Sequence, residues 1–140
     1  MASIRKEIVV DVAAEPAWEA LRRVGQPDAL FAPVLTDANL DGDVRTVRFA
    51  NGMVLRERIL DVDEAHMRIA YAVIEPQSMT YHHASMEIGP AGPGRCTFVW
   101  ITDFLPAEAA SGLQPLIDQG VDALKRNLEQ AATVPSGVIQ

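Results

Sequence analysis

A single cysteine, Cys96, stands in a chain of 140 residues. That excludes an internal disulfide framework and any cluster built on several thiolates, and it suits a reducing compartment. Cationic side chains are scarce as well: 12 Lys and Arg face 19 Asp and Glu, for a formal net charge of -7. Such a balance repels phosphate backbones and anionic bilayers, so neither nucleic acid nor a membrane surface is an expected partner. The opening "MASIRKEIVVDV" has no apolar run of membrane-spanning length and no small-residue cleavage site, so a cytoplasmic chain without a membrane anchor is expected. Glycines are scattered among turns, and no Walker loop, dinucleotide fingerprint, "GxSxG" elbow or paired zinc ligands occur. Neither a cofactor nor a metal is expected.

What is present is ordinary globular composition, 49% hydrophobic and 22% charged, in a length that buries one substantial core. One domain is expected over 1–132, with 133–140 a frayed tail. Alternation of Ile4, Ile8, Val10 and Val12 predicts a half-buried strand. "AAEPAWEALRRVG" predicts a short helix, with Pro16 in its first turn and Gly25 as its stop, and a second very short helix is expected around Asp28–Phe31. Six successive strands separated by turn-like residues then predict an antiparallel meander. Leu113, Leu116, Ile117, Val121, Leu124 and Leu128 recur at three and four, the stripe of one long final helix. Pro115 should kink that helix or delay its start, and Gly120 on the same stripe would admit another backbone.

The stretch "VRTVRFANGMVLRERI" admits two hairpin registers. A two-residue Asn51-Gly52 loop mixes polar and apolar side chains on both faces. A three-residue loop over Ala50, Asn51 and Gly52 sets Phe49 opposite Met53 and sorts the faces: Val47, Phe49, Met53, Leu55 and Ile59 on one, Thr46, Arg48, Arg56 and Arg58 on the other. The second register is therefore expected, and it sets Arg45 across from Glu57 on the apolar side. A buried carboxylate is costly unless paired, so the two charges are expected to act as a unit. They either satisfy each other near a cavity rim or also orient a polar group of a ligand.

In "YHHASMEI", His82 shares its face with Ala84, Met86 and Ile88 and is expected inside, with His83 outside. His82 is either an internal histidine with a protein partner or a general acid or base. Tyr71 alternates with Met67, Ile69 and Val73 and should also look inward, where its hydroxyl needs a partner. Cys96, Phe98, Trp100, Thr102 and Phe104 share a face of the last strand; core packing accounts for the aromatics, and Trp100 is a candidate for a cavity wall. Cys96 has no neighbouring base to activate it.

The element order, with "AAEPAWEAL", "GDVRTVRFANGMVLRERI", "IAYAVI" and "CTFVWITDF", resembles the START/Bet v-like superfamily (SRPBCC), and within it the polyketide cyclase/dehydrase-like bacterial branch, over Ser3 to Leu128. The resemblance implies an α+β helix-grip fold: a strongly curved antiparallel sheet of about seven strands, in the order β-α-α-β6-α, wrapped around one long C-terminal helix. It also implies a deep cavity between sheet and helix that takes lipids, polyketides or other hydrophobic molecules.

Binding of such a molecule by a carrier or sensor is the first expectation, with Arg45, Glu57, Tyr71 and His82 as its polar handles. Val47, Phe49, Met53, Leu55 and Ile59 would supply one apolar wall. Met86, Phe98, Trp100, Leu116 and Leu124 would supply the rest. The alternative is a polyketide cyclase/aromatase or dehydratase in which His82, Tyr71 or Glu57 moves protons. A third reading fills the space with Met53, Met67, Met79 and Met86 and leaves an interaction protein. Either a monomer or a homodimer fits the sequence.

Overall fold

Residues 2–133 are described by the computed structural model. Of the expected frayed tail, all but Thr133 lies outside the described residues. The first strand, β1 (Ala2–Val10), buries Ile4 and Val10 and exposes Arg5, Glu7 and Val9, the alternation that its sequence predicts. Two short helices follow, α1 (Ala14–Leu21) and α2 (Pro27–Phe31), then strands β2 (Leu35–Asp41), β3 (Val44–Phe49), β4 (Val54–Asp63), β5 (Arg68–Glu75), β6 (Tyr81–Pro90) and β7 (Cys96–Leu105). A short 3-10 turn (Ala107–Ala109) leads into α3 (Ala110–Thr133).

The strands form one antiparallel seven-stranded sheet in the order β1-β7-β6-β5-β4-β3-β2. It is curved and unclosed, and α3 lies across its concave side in the helix-grip arrangement. The buried stripe of α3, Ile117, Val121, Leu124 and Leu128, meets β1 and α2. Hydrogen bonds reinforce that seat: the Asn127 amide donates to the carbonyls of Leu30 and Ala32, each at 2.8 Å, tying α2 to α3. At the other end Trp18 Nε1 donates to Glu64 Oε1 at 2.6 Å, and Arg22 pairs with the same carboxylate, anchoring α1 on the β4–β5 turn.

Between β3 and β4 the register is the one that hydrophobic sorting favours. Val47 stands opposite Leu55 and Arg45 opposite Glu57. Phe49 N–H donates to the Met53 carbonyl at 2.8 Å, and Gly52 N–H to the Phe49 carbonyl at 3.0 Å. Gly52 has φ 90°, a left-handed conformation that glycine adopts without a Cβ clash.

Two local expectations need correction. Helix α1 ends at Leu21, short of Gly25, because the chain from Arg22 tightens into successive turns through Val24 and Gln26. Pro115 does not delay α3, which starts five residues earlier at Ala110. Ser111 and Pro115 are both exposed, so water can satisfy the Ser111 carbonyl left without its helical donor.

Candidate functional site

A cavity of about 90 Å³ lies between the first turns of α3 and the concave faces of β3–β7, closed at one side by the α2–β2 connection. Each strand contributes alternate residues, as a pleated sheet must. From β3 come Arg45, Val47 and Phe49, from β4 Leu55 and Glu57, and from β5 Tyr71 and Val73. β6 adds His82 and Met86, and β7 adds Trp100 and Thr102. The α3 stripe covers them with Leu113, Leu116, Ile117 and Gly120.

The structure thus brings together Arg45, Val47, Phe49, Leu55, Glu57 and Tyr71, and with them His82, Met86, Trp100 and Leu116. The remaining four residues of the sequence-derived set stand elsewhere. Phe98 and Leu124 are fully buried in the packed core. Ile59 sits where β4 shifts register against β5, and Met53 sits half-buried at the hairpin end. Phe31, Val34 and Leu35 belong to the wall, but no periodic pattern in the proline-punctuated stretch that holds them marks them in advance. Of the four methionines that would fill the space, Met86 alone is on the wall.

Arg45 and Glu57 are almost sealed from solvent, at 4% and 6% exposed. Arg45 Nε donates to Glu57 Oε1 at 2.9 Å, Nη2 stands 2.8 Å from the same oxygen, and Nη1 donates to the Val24 carbonyl at 3.1 Å. The guanidinium lies 5.0 Å from the centre of the Tyr71 ring, a cation–π contact in a desolvated place. Both contacts to Glu57 end on Oε1. Oε2 accepts no hydrogen bond from the described residues and is not among their sealed, partnerless atoms, and Glu57 lines the cavity. Burial holds the Glu57 carboxyl above the usual carboxylate range, with Arg45 pulling it back.

Tyr71 is buried, and that burial, aided by the Glu57 charge, pushes its phenol well above the ordinary value. The nearby Trp100 indole pulls weakly the other way, but the N–H does not close a hydrogen bond and Trp100 Nε1 is a buried polar atom with no partner. His82 makes no side-chain hydrogen bond to a described residue, and burial, then the neighbouring His83, lowers its pKa from 6.5. At neutral pH the wall therefore presents a neutral phenol and a neutral imidazole. No hydrogen bond links His82 to Tyr71 or Glu57 among the described residues, so the three candidate proton carriers share a cavity without forming a relay. Nor, among the described residues, do three or more His, Cys, Asp or Glu side chains converge as a metal cage would require.

A family model described as polyketide cyclase / dehydrase and lipid transport matches residues 1–129. No curated protein matches the chain. Among solved structures, the protein XoxI from Bacillus cereus superposes with a TM-score of 0.84 at 16% identity, over 94% of this chain and 99% of its own. A protein from Thermobifida fusca, solved by solution NMR, is 26% identical with a TM-score of 0.73, over 93% of this chain and 95% of its own. Norcoclaurine synthase from Thalictrum flavum, in complex with dopamine and hydroxybenzaldehyde, is 20% identical with a TM-score of 0.72, over 94% of this chain and 86% of its own.

Proposed function

The chain belongs to the polyketide cyclase/dehydrase and lipid transport family, and we propose that it encloses a hydrophobic or amphipathic small molecule in the cavity under α3, as a carrier or sensor. The working unit is a single domain over 1–132, cytoplasmic, and a monomer or homodimer. No helix among the described residues is long and apolar enough to cross a membrane. The observation that carries the reading is the composition of the wall. Apolar side chains from β3–β7 and α3 surround a neutralised Arg45–Glu57 pair, and the Tyr71 hydroxyl and the His82 ring face the same space without protein partners. Groups of that kind orient a ligand whose affinity comes from apolar contact.

Magnitudes fit a reversible carrier. A single aromatic ring that buries about 200 Å² gains roughly 5 kcal/mol at about 25 cal/mol per Å². Taken whole, that gain corresponds to a Kd of roughly 0.2 mM, and the cost of association weakens it further.

One observation favours a cyclase or dehydratase as the second reading: His82 is held neutral on the cavity wall, as a proton acceptor must be. The unlinked positions of His82, Tyr71 and Glu57 weigh against it. Native mass spectrometry of protein purified without added ligand, followed by extraction and identification of anything bound, tests the carrier. A co-purifying apolar metabolite supports it, and turnover of that metabolite by wild type with loss in His82→Gln would move the assignment to the enzyme. An empty protein whose melting temperature is unmoved by a library of apolar metabolites refutes both.

A further inference from the structure

We propose that the cavity selects by charge and by size: its preferred occupant is an uncharged molecule of about single-ring size carrying a hydrogen-bond donor, and acids of the fatty-acid type are rejected. The inference rests on the cavity-binding reading above and narrows it.

Size follows from the volume. At about 90 Å³ the space is on the scale of the roughly 150 Å³ apolar cavity that takes one benzene ring, so it suits about one ring and not a long chain. Trp100 bounds that space on one side. Its ring stands 5.7 Å from Phe31, centre to centre, and its six-membered edge lies against Gly120 in α3.

Charge follows from Arg45, the single Lys or Arg on the wall among the described residues. Its guanidinium is committed to Glu57 Oε1 and the Val24 carbonyl. Arg45 and Glu57 cancel, so a carboxylate entering the cavity would lose its water without meeting an unspent cation, and it would approach a second carboxylate. An ammonium group fares no better, because Glu57, the single Asp or Glu on the wall among the described residues, is already paired with a guanidinium. A neutral hydroxyl meets neither penalty. It can donate to Glu57 Oε2, the carboxylate oxygen without a protein partner, and accept from the Tyr71 hydroxyl or the His82 ring.

The experiment compares five probes on the full wild-type chain at neutral pH by titration calorimetry: para-cresol, toluene, benzoate, benzylamine and laurate. Para-cresol is expected to bind, with benzoate, benzylamine and laurate each at least about tenfold weaker. Toluene is expected to bind more weakly than para-cresol, and Glu57→Gln should narrow that gap. If Glu57→Gln does not fold, Tyr71→Phe, which keeps its ring against Arg45, provides the same comparison. Benzoate, benzylamine or laurate binding as tightly as para-cresol overturns the selection by charge or size and leaves the cavity reading standing. Equal binding of para-cresol and toluene overturns the donor requirement. Failure of all five to bind overturns the cavity reading and the inference with it.

Discussion

Arg45 Nε lies 2.9 Å from Glu57 Oε1 across neighbouring strands, where both side chains are nearly sealed from water. Removing one partner leaves a buried charge without its counter-ion, at a cost of about 3–5 kcal/mol, whereas removing both substitutes apolar packing for an expensive pair. Arg45→Met and Glu57→Leu should each lower the free energy of unfolding in urea by about that amount, and the double variant should recover most of the loss. Additive losses in the double variant would show that the pair is not a unit.

His82 gives the fold a pH dependence of defined sign. Burial depresses its folded pKa below 6.5, so the unfolded chain takes up the proton first. The stability that it contributes is fully present above about pH 6.5 and is lost as pH falls toward the depressed folded value. Lowering pH from about 7.5 to about 5.5 should therefore cost wild type more in melting temperature than it costs His82→Gln. The carboxylates Asp63, Glu64, Asp118 and Glu129 are lowered by hydrogen bonds from His66, Arg22, Lys6 and the Asp11 N–H, and they titrate below this window. Glu57 is raised and acts with the opposite sign, but it is present in both proteins and cancels in the comparison. Parallel melting curves for the two proteins over that range would remove His82 as the sensitive group.

The Arg45–Glu57 pair was legible in the sequence because β-strand alternation admits two hairpin registers and only one sorts the apolar side chains. Depth was not legible. Phe98 and Trp100 share a face of β7 two residues apart, yet Phe98 is sealed in the core while Trp100 borders the cavity. Alternation reports a direction, and how far a side chain lies from α3 depends on sheet curvature. Ile59 shows the same: it stays in step with Glu57 and is paired with Tyr71, yet it packs half-buried against the core and does not line the cavity. Phe31, Val34 and Leu35 carried no signal, since α2 and the chain after it are too short for any period to form.

Tyr71→Phe separates binding from folding. The phenol hydroxyl makes no hydrogen bond to a described residue, and the ring that supports the Arg45 guanidinium is retained. Unfolding free energy should change by less than about 0.5 kcal/mol, while a ligand that accepts a hydrogen bond from the hydroxyl should bind more weakly by about 0.5–1.5 kcal/mol. A stability loss well beyond that margin, seen in urea titration, would mean that the hydroxyl has a structural partner and is not free for a ligand.

At Gly120, α3 packs closely against the Trp100 ring on the cavity wall. A Cβ there would stand 2.9 Å from Trp100 Cζ3 and 3.3 Å from Cη2, closer than carbon atoms pack. Alanine gains about 1 kcal/mol of helix propensity over glycine, but overpacking a fitted core costs about 1–3 kcal/mol. The second effect should win, because the obstacle is a rigid ring that Phe31 flanks and not the free end of a flexible chain. Gly120→Ala should therefore be less stable by about 1 kcal/mol, with a changed near-ultraviolet dichroism as Trp100 moves. If the ring moves toward the cavity, ligand-induced melting shifts should shrink as well. A variant more stable than wild type, with unchanged aromatic signals, would mean instead that α3 can step away from the sheet by a few tenths of an ångström, and that its grip on the cavity is looser than the packing of Trp100 implies.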